Sequence, residues 1–324
     1  MKKILGLILV LFFLGTNAFA NEKLSFYAGI SSGALNLTLN EALLNKAGDD
    51  ATTSSLLKWQ IYASPVIQAD TGLSFDSRYF IKLNGFYTLP LSAGRLRDYD
   101  WMNLFSTGGT EQTHYSDHTN KLNYYYNTQL SVGIGGDLNP RVQLVHFFSF
   151  RYSYLNMTCY NGYRQYGTKI GVQDGKNIYE PWTSDIPKTQ LTGKIITLEE
   201  QNYFFGIGTQ INLAFSDSLE AQLVAQILPS IKSRTLDTHH RRSAKYTLFE
   251  NTFKLALDSS FLLQYKLNDQ HRLNLKAGYC YSLADDAGLY QSASGQSWIK
   301  ATNPGKLRQH DFTLSVGYTY YYEK

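Results

Sequence analysis

The chain has 324 residues, two cysteines and a formal net charge of +4, with a mean hydropathy of −0.28. A positive charge this small and dispersed excludes a nucleic-acid binder, and the wide spacing of Cys159 and Cys280 excludes a zinc module, leaving only a single disulfide between them as an open question.

Residues 1–20 read as a secretory signal peptide. Lys2 and Lys3 precede an apolar run from Ile4 to Leu14, and Ala18-Phe19-Ala20 supplies a small-x-small cleavage site. The mature part, 21–324, is expected to form one domain. It has no second apolar stretch long enough to cross a bilayer as a helix, so it is soluble or it crosses as strands. The 25 tyrosines and 18 phenylalanines, beside only 17% charged residues, favour strands. A barrel that is apolar outside and polar inside needs many interfacial aromatics yet averages to an ordinary hydropathy.

Alternation with period two supports this along the chain. From Leu122 to Ile134 the even positions Leu122, Tyr124, Tyr126, Thr128, Leu130 and Val132 suit lipid, and the odd ones, such as Asn123, Asn127, Gln129 and Ser131, suit a wet interior. The stretch Phe249 to Leu267 sets Phe253, Leu257, Phe261 and Tyr265 against Lys254, Asp258 and Gln264. The last stretch puts Phe312, Leu314, Val316, Tyr318, Tyr320 and Tyr322 on one side. Short connections rich in turn formers are expected at 70–77, 137–140, 216–218 and 268–270, and long ones near 41–54, 95–119, 157–191, 232–245 and 284–304. Nine connections make ten strands. The fold class is therefore an all-β transmembrane antiparallel barrel of ten strands, with short periplasmic turns and long extracellular loops.

Two acidic motifs fall in the expected external loops: Arg97-Asp98-Tyr99-Asp100-Trp101-Met102 after strand three, and Leu236-Asp237-Thr238-His239 after strand seven. Strands three and seven lie across a ten-strand ring, so the two loops face each other over the mouth. A histidine held by an aspartate can take a proton from water, and a facing carboxylate pair can share one. The bland reading of such residues is a solvated loop. Simple alternation places Asp237 and His239 on the outward parity unless a bulge near Pro229 intervenes. The run His239-His240-Arg241-Arg242 reads first as a solvated loop and second as an anion site. It lacks the converging ligands that a metal needs.

Here the sequence resembles the omptin family of outer-membrane proteases. Asp98-Tyr99-Asp100-Trp101-Met102, then Ser116-Asp117 and Leu122-Asn123-Tyr124, looks like the family's Asp-x-Asp-Trp-Met loop running into its fourth strand. The resemblance implies an endopeptidase in which Asp98 and Asp100 form the catalytic aspartate pair and Asp237 and His239 the Asp-x-His dyad. Ser32-Gly33-x-Leu35 followed by Glu41 is similar to the family's segment whose glutamate lines a pocket for a basic substrate residue. Thr235 stands where the family has another acid. The resemblance further implies lipopolysaccharide as an activating lipid, with Arg151 as a candidate contact and Asn202 at the partner position, although alternation turns Arg151 inward. No metal or other cofactor is expected. The expected partners are outer-membrane lipid and peptides with basic residues, acted on by a monomer whose site faces outside the cell. The competing reading is an inactive omptin-like barrel serving as an adhesin. An acyl hydrolase would need a serine beside a histidine on the membrane-facing wall, which the sequence does not supply.

Overall fold

The computed structural model describes residues 24–45, 52–76, 78–105, 110–241, 244–248, 253–287, 289–293, 297–300 and 305–323. The stretch read as a signal peptide lies outside the described residues. Ten strands follow one another around a ring. They are β1 (Leu24–Leu44), β2 (Thr53–Phe75), β3 (Tyr79–Thr88, resumed as Leu91–Asp100), β4 (His114–Asn139) and β5 (Val142–Tyr166), followed by β6 (Lys194–Ala214), β7 (Leu219–His239), β8 (Leu255–Lys266, with the upper segment Ala244–Leu248), β9 (His271–Ala287, continued by Leu289–Ala293) and β10 (Gly305–Glu323). Each pairs antiparallel with the next, and β10 pairs with β1 from Ser25↔Glu323 to Leu43↔Gly305. Closure leaves no open edge, which is what a sheet needs where no water can satisfy its backbone.

The lower part of the ring carries an apolar belt on its outside. Val132, Phe148, Ile207 and Val316 are all at least half exposed there, and no helix among the described residues is long and apolar enough to cross a membrane. Inside the same level the side chains are polar and cross-linked. Arg151 pairs with Asp258 and donates from Nε to Gln129 Oε1 at 2.8 Å. The Tyr125 hydroxyl donates to Asp311 Oδ2 at 2.6 Å, and Lys254 Nζ lies 2.6 Å from Glu200 Oε1 with both side chains nearly fully buried. Arg151 therefore does not reach lipid, and its carry-over as a lipid contact is corrected. Asn202 is likewise internal, donating to Glu200 and accepting from Ser233. Cys159 and Cys280 are both free thiols.

At the short-turn end the connections fall close to where the turn residues place them, including Pro140-Arg141 and Leu267 to Gln270. The other end departs from expectation. Stretches assigned to long loops belong to the ladder: Asp98 pairs with Leu57 and Ser116, and Asp237 pairs with Leu198 and Tyr246. An apolar core inside the upper barrel explains this, with Leu37, Trp59, Leu96, Leu122, Met157 and Leu198 almost wholly buried in one cluster. Burying such a side chain is worth roughly 1.5–3 kcal/mol, so the upper strands are held together from within.

The polarity of the wall therefore inverts with height, apolar outward in the belt and apolar inward above it. Some strands make that change by residue type alone, as β1 does with Ser31, Leu35 and Leu37 on one inward parity, and others flip parity by inserting one residue. In β2 the extra residue lies at Tyr62-Ala63, where Ala63 takes a φ of 47° and its amide is satisfied by Asn36 Oδ1 at 3.0 Å. In β4 the pairing slips between Leu122↔Met157 and Tyr124↔Asn156. Leu122, expected on the lipid face, is consequently turned inside. In β7 Tyr203 pairs with Lys232 but Phe204 with Ser230, leaving Ile231 unmatched two residues beyond Pro229. Below that point Gln222, Gln226 and Leu228 face in; above it Ser233, Thr235, Asp237 and His239 do.

Deleting Ile231 should keep the barrel folded, seen as heat-modifiable gel mobility, while turning 232–239 over. In a chain carrying Cys159→Ser and Cys280→Ser, an Asp237→Cys thiol should react slowly with a water-soluble maleimide, and the same thiol in the deletion should react readily.

Candidate active site

Asp98 descends from the upper segment of β3 and His239 from the end of β7, and the ring brings them to one cavity of about 300 Å3, with Asp237 behind His239. Asp98 and Ser116 line it from β3 and β4, His239 and Arg241 from β7 and just beyond, and Arg164 and Tyr166 from the top of β5. His239 Nε2 lies 3.2 Å from Asp237 Oδ2, and the Asp237 side chain is only 2% exposed. Asp237 Oδ1 makes no hydrogen bond among the described residues. A buried carboxylate oxygen left unsatisfied is unfavourable by about 1–3 kcal/mol or more.

Glu41, on β1, projects inward above the belt and is 3% exposed. Burial pushes its carboxyl well above the usual range, and the neighbouring carboxylates of Asp237 and Asp98 push it further. Glu200 adds to that field from β6. Glu200 pairs across the sheet with Thr235, so the acid absent from position 235 stands one strand away, neutralised by Lys254. The Thr235 hydroxyl is buried without a hydrogen-bond partner among the described residues. Asp100 shares the parity of Asp98 and pairs with Ser55 and His114, but it does not line the cavity. Asp98 and His239 thus line the cavity, Asp237 stands against His239 and Glu41 lies within the field of Asp98 and Asp237, while Glu41, Asp237 and Asp100 are all outside its lining.

Sequence reasoning missed His118, Arg164 and Tyr166. Ser116 and His118 share the inner face of β4, and His118 Nδ1 lies 2.5 Å from the Asn161 carbonyl, to which only an N–H can donate. Its Nε2 is then the acceptor for the Ser116 hydroxyl at 2.9 Å. Burial lowers the pKa of His118, favouring this neutral form. The carbonyl comes from a bulge in β5, where Asn161 and Gly162 have φ of 51° and 99°. A Cβ on Gly162 would sit 2.0 Å from the Asp117 carbonyl, so glycine is required there. That bulge also turns Arg164 and Tyr166 into the cavity. The Asn-Gly pair was its one signal in the sequence.

A model of the omptin family matches residues 22–322. The chain belongs to the omptin family. Among solved structures, the outer membrane protease OmpT from Escherichia coli superposes with a TM-score of 0.73 at 16% identity, covering 92% of this chain and 97% of that one. The toluene transporter TodX of Pseudomonas putida covers 95% of this chain and 92% of its own at 9% identity, but with a TM-score of only 0.29. No curated protein sequence matches the chain. Membership places this omptin in a family of outer-membrane proteases, and the OmpT likeness supports the barrel fold.

The raised carboxyl of Glu41 has a consequence for folding. Below the ordinary carboxylate range both folded and unfolded chains hold its proton and the group is neutral to stability. As pH rises past that range the unfolded chain ionises first, so stability is lost progressively until the folded group ionises too. Glu41→Gln in this omptin should therefore raise the urea or thermal midpoint more at pH 8 than at pH 4; an equal change at both would show Glu41 ionising normally.

Proposed function

We propose that this omptin is an outer-membrane endopeptidase that hydrolyses peptides next to basic residues with an activated water, at a site on the extracellular end of the barrel. The observation that carries the reading is the convergence of Asp98 and His239, with Asp237 behind it, on one cavity from opposite walls of the ring. The end that holds them has the longer connections, which in bacterial barrels is the outer one.

In this reading Asp237 orients His239 and stabilises its charged form. His239 takes a proton from a water held between it and Asp98, and the hydroxide attacks the scissile carbonyl. Asp100 acts from the margin, through Asp98 and water. The proton returns to the leaving amine, and no side chain is covalently modified. Glu41 forms the floor that receives a lysine or arginine. Burial and the neighbouring carboxylates favour its neutral form, and an entering cation favours its ionised form. The protein works as a monomer in outer-membrane lipid.

Cleavage of a quenched peptide containing arginine tests the reading. His239→Ala and Asp98→Ala should each reduce kcat/KM by about 10² to 10⁴, the usual contribution of a positioned base, with folding verified by heat-modified mobility. Near-normal cleavage by His239→Ala would leave a barrel that binds rather than cuts.

Specificity gives a second measurement. Truncating one member of a desolvated charge pair costs about 2–5 kcal/mol, so Glu41→Gln should lower kcat/KM for arginine peptides by roughly 30-fold or more and change neutral peptides little. Equal effects on both would remove Glu41 from the pocket.

A further inference from the structure

The same cavity carries two cations that the proteolytic reading does not use. Several cations inside the barrel have carboxylate partners, among them Arg95 with Asp117, Arg151 with Asp258, Lys254 with Glu200, and Arg272 with Glu220. Arg164 and Arg241 have none among the described residues, although both line the cavity beside Asp98 and His239. Each is braced by a neutral group instead. The Arg164 guanidinium lies over the Tyr166 ring, 5.1 Å from its centroid, and Arg241 donates to the Thr192 carbonyl. These contacts restrain the side chains while leaving their charge uncompensated.

The cleft is consequently polarised. Glu41, Asp98, Asp237 and Glu200 crowd the interior beneath it, whereas guanidiniums stand where β5 and β7 leave the ladder. A peptide lying across Asp98 and His239 therefore has carboxylates beneath it and arginines at the rim of the same cavity. Planar guanidiniums match carboxylates in geometry as well as sign.

We propose that Arg164 and Arg241 form a subsite for an acidic side chain just after the scissile bond, so that the preferred substrate is basic before the cut and acidic after it. The proposal rests on the protease reading. It supplies the specificity that the single acidic pocket leaves unset, and it makes the substrate's charge order fix the direction in which the chain lies in the cleft.

The test uses the folded full-length barrel and three quenched peptides that share an arginine before the bond and differ only in the next residue: Asp, Ala or Lys. The native protein should favour Asp over Ala by roughly 2- to 30-fold, as expected for one or two partly screened charge pairs, and should disfavour Lys. The ratio should shrink as salt is raised, because both arginines are solvent-exposed. Arg164→Gln with Arg241→Gln should bring the Asp-to-Ala ratio close to one, and Arg241→Glu should reverse the order of Asp and Lys. Both positions are exposed, so neither substitution disturbs the ladder. An Asp-to-Ala ratio at or below one in the native protein, or one unchanged in the double variant, would overturn the subsite while leaving the protease standing. Failure of the native protein to cut any of the three would remove the protease reading and the subsite with it.

Discussion

Side chains on a strand alternate between two faces, and a wall that is apolar outward in lipid and apolar inward above it either changes residue type at fixed parity or breaks the alternation. In this barrel the break is a single inserted residue in each of several strands, at Ala63 in β2, around Asn123 in β4, at Asn161-Gly162 in β5 and at Ile231 in β7. The shifts in β2 and β4 bring Trp59 and Leu122 into the apolar core, and those in β5 and β7 turn Arg164, Tyr166, Asp237 and His239 inward above it. Without the shift at Ile231 the pair Asp237 and His239 would point away from Asp98. Without the one at Asn161-Gly162, Arg164 and Tyr166 would leave the cavity. Core and cleft are thus two results of one backbone device, which ties the stability of the upper barrel to the geometry of its site.

The electrostatics pull in the other direction. Four carboxylates with little or no exposure stand within each other's field, and Lys254 is the cation that directly contacts one of them. Breaking a buried pair by removing one partner typically costs about 3–5 kcal/mol, so the Glu200–Lys254 contact holds the pit together, while burial and the neighbouring carboxylates shift Glu41 toward its neutral form. The closed ladder and the apolar core beneath can tolerate this repulsion. The residues that do so are the ones that a cationic substrate would relieve.

Much of the architecture was legible because lipid enforces a strict pattern: Phe312 to Tyr322, Phe253 to Leu267 and the turn at Pro140 lie where alternation and turn chemistry place them. The errors occur where that pattern changes phase. Extending the alternation from Tyr124 through Asn123 without a break puts Leu122 on lipid. The upper strands resemble loops in sequence because their outer faces are polar and their inner apolar positions, such as Leu37 and Leu96, fall on the opposite parity to the belt in several strands. Pro229 did signal a bulge, and the inward turn of Asp237 and His239 follows from it. Arg151 shows the reverse: its inward parity was readable, and a likeness in sequence alone suggested lipid. Glu200, Lys254 and His118 carried no local signal, since what they do depends on partners on other strands.

The cross-links at the level of the belt and the apolar cluster above them have a consequence for the cell that makes this protein. Arg151 with Asp258, Tyr125 with Asp311, and Lys254 with Glu200 span the lumen where a porin would hold a column of water. A wide cavity of about 670 Å3 opens at the short-turn end and narrows to about 130 Å3 where Tyr125, Arg151, Asp258 and Asp311 line it. Among the described residues the lumen is thus constricted by charged and hydrogen-bonded side chains, so an abundant barrel of this kind would conduct solutes far less readily than a porin.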